Sequence, residues 1–238
     1  MKHLSAIISA AAVSFALFAD EPAVVTLGDA SEGLDVPRNL WGIFFEDINW
    51  AADGGLSTEL LANGGFDWQQ PDHEKWTKTV DGWEPAFHGG MARLSFQYGN
   101  PVHPNTAKHL RIESFGSGLA GVRNTGLDGM KLVAGEPYRL QFDVRRIVRK
   151  GLDFELGAWS HEVHEFTREE GSLFTAMGPN YVVEVTGDSL CLLAAGGATV
   201  EFDNVSLRPT GPNLVRAGMR KDLVDKLAGL KPSFVRFP

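Results

Sequence analysis

Lys231-Pro232-Ser233-Phe234-Val235-Arg236-Phe237-Pro238 reads as a helix stop followed by a short apolar strand, with no later residue to pair with that strand. Upstream of it, Met219, Leu223, Leu227 and Leu230 recur at helical spacing, and Arg220, Lys221, Asp222, Asp225 and Lys226 turn outward. Pro232 disfavours helix in the residue before it, which closes the segment. The strand's counterpart lies far back in the chain, at Leu40-Trp41-Gly42-Ile43-Phe44-Phe45. That run is almost continuously apolar, the pattern of a strand buried on both faces of a parallel sheet or barrel. It runs into Glu46-Asp47-Ile48-Asn49, a polar cluster at the strand's C-terminal end, which in a parallel α/β barrel faces the active site.

Between these two blocks the texture changes. Short strands are predicted at 109–113, 138–144, 153–159, 181–185, 189–194 and 199–207, punctuated by Gly116, Gly118, Gly121, Gly135, Gly178, Gly187 and the pair Gly196-Gly197. Apolar side chains alternate in Tyr138, Leu140, Phe142 and Val144, and again in Val200, Phe202 and Val205. Many short strands without a long helix predict a β-sandwich of jelly-roll kind. The expected fold is therefore mainly β: a jelly-roll β-sandwich inserted between the first two βα segments of a truncated (β/α)8 barrel. Its parts are a leader over 1–19, an N-terminal strand and first barrel strand over 20–62, the sandwich over 63–209, and a first helix with a second barrel strand over 210–238.

The leader follows from Lys2 and His3 ahead of an apolar run from Leu4 to Phe18, with small residues at Ala16 and Ala19. That run is shorter than the roughly 20 residues a membrane-spanning helix needs, so it reads as a secretory signal and places the protein outside the cytoplasm, secreted or periplasmic. No other segment is apolar enough to span a membrane. The net charge of −8 gives no support for nucleic-acid binding, which wants a basic face. Cys191 is the one cysteine, set in Leu190-Cys191-Leu192-Leu193, and reads as a small core residue. Oligomeric state leaves no mark in the sequence.

Three motifs invite chemistry. Gly116-Ser117-Gly118-Leu119-Ala120-Gly121 matches the dinucleotide fingerprint, but Val122-Arg123-Asn124-Thr125-Gly126 makes a poor helix, so the glycines are expected in β-turns. His161-Glu162-Val163-His164-Glu165 falls one residue short of zinc-helix spacing and is expected at a polar edge or in a loop. Glu46 and Asp47 are neighbours on a strand and point to opposite faces, so they cannot act together as the two carboxylates of a glycosidase, which face each other across the scissile bond. One of them could instead bind substrate hydroxyls. Trp68, Trp83 and Trp159 are candidates for stacking on sugar rings. Asp67 and Asp203, near the first and last strands of the sandwich, are a possible calcium pair; no other cofactor is expected.

The blocks Leu40-Trp41-Gly42-Ile43-Phe44-Phe45-Glu46-Asp47-Ile48-Asn49, Asp53-Gly54-Gly55-Leu56 and Glu59-Leu60-Leu61-Ala62-Asn63 resemble the start of the family 51 α-L-arabinofuranosidases. Residues 219–238 resemble that family's next segment, which usually continues into Gly-Gly. Gly64-Gly65-Phe66-Asp67, Gly82-Trp83, Gly135-Glu136-Pro137-Tyr138 and Phe202-Asp203-Asn204-Val205-Ser206-Leu207 resemble the carbohydrate-binding-type jelly roll some members insert. The resemblance implies a secreted retaining glycosidase that removes arabinofuranosyl side groups from arabinose-containing polysaccharides such as arabinoxylan or arabinan. It implies that Glu46 binds the arabinose ring and that Arg236 supports the catalytic carboxylates, with Asp47 and Asn49 beside them as further substrate-binding candidates. It also implies that the acid/base and the nucleophile come from later barrel strands, so the chain itself is expected to be inactive. The stretch 161–181 looks shortened against the usual module. The competing readings are a stand-alone carbohydrate-binding module and a structural β-sandwich without sugar affinity.

Overall fold

A computed structural model describes residues 24–29, 31, 33, 35, 37–46, 48, 51–67, 82–127 and 129–236. The leader at 1–19 lies outside them. By internal contacts the chain divides into two units, Met1–Leu40 and Trp41–Pro238. In the first, the described residues are exposed and include a 3-10 turn at Arg38–Leu40, where the Leu40 amide donates to Pro37 O at 3.0 Å. Among the described residues no helix is long and apolar enough to cross a membrane.

The second unit is mainly β. It opens with β1 (Ile43–Phe44) and a π-helical turn at Ala52–Leu56. Eleven sandwich strands follow, beginning with β2 (Glu84–His88), β3 (Met91–Gln97), β4 (His109–Phe115), β5 (Leu119–Asn124), β6 (Pro137–Lys150) and β7 (Asp153–Leu156). It continues with β8 (Ser160–Thr167), β9 (Phe174–Gly178), β10 (Tyr181–Val185), β11 (Leu190–Ala194) and β12 (Thr199–Pro209). The chain closes with β13 (Val215–Arg216), β14 (Met219–Arg220), α1 (Lys221–Gly229) and β15 (Val235–Arg236).

Two antiparallel sheets face each other. One runs β2-β5-β11-β10-β9; the other runs β3-β4-β12-β6-β7, with β8 also pairing along the first half of β6. The predicted alternation is what joins them. Tyr138, Leu140, Phe142 and Val144 on β6, Leu110 and Ile112 on β4, and Val200 and Phe202 on β12 all point inward. They meet Val122, Val183, Val185, Leu190 and Leu192 from the opposite sheet. Each such fully buried side chain contributes roughly 1.5–3 kcal/mol relative to exposure, so this shared core is the main source of stability.

The polar segment ahead of the sandwich is stitched to β12 where that strand bulges. Asn204 sits at φ 49°, and the pairing with β6 shifts register between Asp203 and Ser206. The bulge frees Val205, whose amide donates to Gly64 O at 2.9 Å. A side chain at Gly64 would put its Cβ 1.9 Å from Val205 O, so only glycine permits the approach. Next to it, Glu59 is a five-way acceptor. Its Oε1 takes the amides of Leu60, Leu61 and Leu207 at 3.0–3.1 Å, and its Oε2 takes Ser206 Oγ at 2.6 Å and Arg208 Nε at 2.9 Å.

Strands β1 and β15 pair in parallel, Ile43 with Val235 and Phe44 with Arg236, as the matching apolar blocks suggested. The ladder extends through the Ser233 amide on Trp41 O and the Phe45 amide on Arg236 O, both at 2.9 Å. Trp41 Nε1–H also caps Leu230 O at 3.1 Å, just past α1. Burial on both faces is not realised. Phe44 is 54% and Val235 52% exposed, because a two-stranded sheet has no flanking strands to cover it among the described residues. The strand predicted at 153–159 is also shorter, ending at Leu156 and leaving Trp159 beyond its end. The stretch 161–181 carries most of β8 and all of β9.

Candidate functional site

The C-terminal end of the parallel pair carries Glu46 and Arg236. Because the Phe45 amide donates to Arg236 O, Glu46 is the first residue beyond that rung, beside Arg236 on the neighbouring strand. Glu46 is half-buried, and Arg236 is exposed with its guanidinium 5.3 Å from the centre of the Phe44 ring. Asp47 and Asn49 lie outside the described residues. One acid and one arginine at a sheet end can hold sugar hydroxyls, but they do not form the facing carboxylate pair that cleaves a glycosidic bond.

A cleft of about 500 Å³ opens where the segment after the π-helical turn meets the sandwich. Ser57, Thr58, Glu59, Lys131, Tyr138, Arg220 and Asp222 are among its lining residues. Tyr138, on its lining, is fixed by its hydroxyl, which accepts the Val133 amide at 2.7 Å. Arg220 and Asp222, both on its lining, form an ion pair at 2.9 Å.

The three tryptophan candidates part company. Trp83 is 1% exposed, tilted against Phe66 at 5.3 Å, and its Nε1–H donates to Asn63 O at 3.0 Å. That is a core position with no ring face left for a sugar. Trp68 lies outside the described residues. Trp159 is half-buried on the outer face of the six-stranded sheet, where its Nε1–H donates to Asn100 O at 2.9 Å. Arg145 lies over its ring at 4.4 Å and His109 meets it edge-on at 5.2 Å.

Beneath Trp159 is a charge network that sequence reasoning missed. Glu201, fully buried, accepts from His109 Nε2 at 3.1 Å, from Arg111 Nε at 2.7 Å and from Arg145 Nε at 2.5 Å. Burial acts to raise its pKa, but the hydrogen bonds from His109, Arg145 and Arg111 prevail and hold the carboxyl below its ordinary range. Two positions along β12 the balance reverses. Asp203 is fully buried, its Oδ2 accepts no hydrogen bond among the described residues, and its pKa is pushed up to about 7 by burial, with the charges of Asp67 and Asp143 adding to it. Burial likewise raises Asp67, against the pull of Lys108. Asp143 is otherwise engaged, with His161 Nδ1 and Asn204 Nδ2 each 2.8 Å from its oxygens. Asp67 and Asp203 are thus near enough to feel each other, and an unshared buried carboxylate oxygen is a donor that suits a hard cation.

The glycine fingerprint has a steric explanation. It forms the turn from β4 into β5, and a Cβ on Gly118 would lie 2.3 Å from the Gly89 carbonyl carbon. A strand follows where a nucleotide site requires a helix. The His161–Glu165 run lies along β8, an edge strand, so its two histidines do not share a helical face. Cys191 is buried; burial, then the charge of Glu184, pushes its thiol up to about 11 against the opposing effect of Arg123.

Taken together, the fold defines a β-sandwich joined to a parallel strand pair and its helix, with polar residues gathered at the pair's C-terminal end. No protein-family model matches the chain. Individual relatives do. It is 30% identical over 245 residues to α-L-arabinofuranosidase 2 of Arabidopsis thaliana and 28% identical over 237 residues to α-L-arabinofuranosidase 1 of the same plant, covering 92% of this chain and 34% of each relative. An extracellular exo-α-L-arabinofuranosidase of Streptomyces chartreusis is 29% identical over 218 residues, which cover 90% of this chain and 25% of that enzyme. An arabinose-bound GH51 α-L-arabinofuranosidase structure superposes with a TM-score of 0.62 at 25% identity, over 85% of this chain and 34% of that one. The chain is a relative of the family 51 α-L-arabinofuranosidases, as its sequence blocks indicated. It spans about a third or less of the length of these curated relatives.

Proposed function

We propose that these residues form the front of an exported, retaining α-L-arabinofuranosidase acting on arabinose-containing polysaccharides, arabinoxylan or arabinan among them. In this reading β1 and β15 are the first two strands of a (β/α)8 barrel, and the sandwich is a jelly-roll module inserted after the first. Glu46 and Arg236 contribute to the sugar site, with Asp47 and Asn49 beside them; the acid/base and the nucleophile belong to later strands. The 238-residue chain by itself then turns over no substrate. Trp159 is the sugar-stacking candidate that keeps a surface position, and Asp203 with Asp67 would hold a calcium ion that braces the bulge of β12.

The observation that carries the reading is the similarity to arabinofuranosidases over 92% of the chain. It is tested in the protein expressed from its whole reading frame. Glu46→Gln is expected to lower kcat/KM for an aryl α-L-arabinofuranoside by on the order of 100-fold, with thermal stability unchanged. Unchanged kinetics in that variant would remove Glu46 from the sugar site.

A further inference from the structure

The outer face of the five-stranded sheet holds a side-chain set that the arabinofuranosidase reading does not use. Among the described residues, His88 on β2, Glu184 on β10 and Cys191 on β11 converge, with a ring nitrogen, a carboxylate oxygen and the sulfur all within 4.8 Å of one another. His88 Nδ1 and Glu184 Oε2 already stand 3.5 Å apart. Glu184 and Cys191 are direct cross-strand partners, so their side chains share a face by register and do not depend on loop geometry. Around the sulfur lies a small apolar patch of Ala86 and Leu193, with Leu119 and Val182 packed against it. His88 stands at the solvent side, 44% exposed, while Cys191 lies at the base, 6% exposed.

We propose that His88, Glu184 and Cys191 form a binding site for a borderline-soft divalent cation, zinc in the first instance, with its fourth coordination position open to water. The donor set is mixed N, O and S, which suits zinc and disfavours calcium or magnesium. Tetrahedral bonds of about 2.0–2.3 Å put ligand atoms roughly 3.3–3.8 Å apart. The His88–Glu184 separation is there already, and the sulfur, within 4.8 Å of both, has to close by no more than about 1 Å, which rotation of the exposed His88 and the half-buried Glu184 supplies. Three protein ligands plus a solvent position is the open form of a zinc site. Arg123, opposite Cys191 in the β5–β11 register, is the neighbouring cation that a bound metal has to tolerate; the thiolate and Glu184 carboxylate offset it. Bound metal would tie the edge strand β2 across β5 to β11 and β10, the centre of the sheet.

The site is independent of the sugar site, so its failure and the failure of the arabinofuranosidase reading are separable. The test is titration of the purified chain with cobalt(II) as a spectroscopic stand-in, followed by competition with zinc. One equivalent of cobalt is expected to bring up a thiolate-to-cobalt charge-transfer band with the visible bands of a tetrahedral ion, and zinc is expected to bleach both. His88→Ala changes an exposed side chain and leaves the fold intact; it is expected to weaken cobalt binding at least tenfold. Cys191→Ala is expected to abolish the charge-transfer band, and its circular dichroism in chelator checks that it folds. No thiolate band in the wild-type chain, or an unchanged affinity in His88→Ala, would overturn the site.

Discussion

Glu201→Gln is the most informative stability perturbation. The wild-type carboxylate is fully buried and binds two guanidinium groups, Arg145 with a side chain 3% exposed and Arg111 with one 14% exposed. The amide keeps the shape and removes the charge. Breaking a buried ion pair by deleting one partner costs about 3–5 kcal/mol, because the other charge is left without compensation. Here Arg145 retains hydrogen bonds to Asn100 O at 2.8 Å and Gly99 O at 3.1 Å and its stacking on Trp159, and Arg111 reaches water. The lower end of the range, about 3 kcal/mol, is therefore expected. For a domain of this size that corresponds to a Tm lower by about 6–12 °C. The pH dependence has a definite sign. Glu201 has its folded pKa held below the unfolded value, so the stability it contributes is fully present above the ordinary carboxylate range and is lost as pH falls through the folded value. The gap between wild type and variant should thus be full at pH 7 and shrink in acid. Differential scanning calorimetry at several pH values reads both effects. A Tm change at pH 7 below about 2 °C, or a gap that widens in acid, would refute the reasoning.

Three further outcomes are expected. Glu59→Gln removes a charged acceptor of five hydrogen bonds and should cost about 2 kcal/mol; faster hydrogen exchange at Leu60, Leu61 and Leu207 would show it, and unchanged protection would contradict it. Gly64→Ala drives a Cβ into Val205 O and should lower the urea midpoint by the equivalent of about 1–3 kcal/mol, where a neutral effect would mean the bulge of β12 is free to shift. Asp203 ionises at a cost as pH rises from the ordinary carboxylate range towards about 7, so in chelator Asp203→Asn should be more stable than wild type at pH 8 and indistinguishable near pH 4. Added calcium should raise the wild-type Tm at pH 8 and leave that of the variant unmoved; equal responses would dissociate Asp203 from any cation.

The legible parts of the chain were those where side-chain period and apolar content agree. Tyr181–Val185 was predicted with its observed bounds, and the alternation of Tyr138, Leu140, Phe142 and Val144 marked the inward face of β6. The helix at 221–229 followed from leucine spacing and Pro232, as did the strand after it, but Met219, which the same spacing placed in the helix, pairs with Arg216 in β14. Edge strands were lost because exposed positions carry no apolar signal: β2 reads Glu-Pro-Ala-Phe-His, and β8 alternates histidine and glutamate around Val163. Trp83, a stacking candidate in the sequence, is a core residue, because a buried and an exposed tryptophan look alike in sequence. The Glu201 network and the His88–Glu184–Cys191 set were invisible for another reason. Glu201 and its partners His109 and Arg145 are separated by 92 and 56 residues and meet only through strand register, which a single sequence does not specify. Glu59 gave no signal at all, since its role depends on the bulge of a strand 147 residues away.

The central claim, that these residues are the substrate-facing front of an arabinofuranosidase whose catalytic carboxylates lie further along, is tested most directly by one comparison. Hydrolysis of an aryl α-L-arabinofuranoside would be measured for residues 20–238 alone and for the product of the whole reading frame. The prediction is no turnover above background from the first and ready turnover from the second. Turnover by residues 20–238 alone, or an inert product of the whole frame, would contradict it.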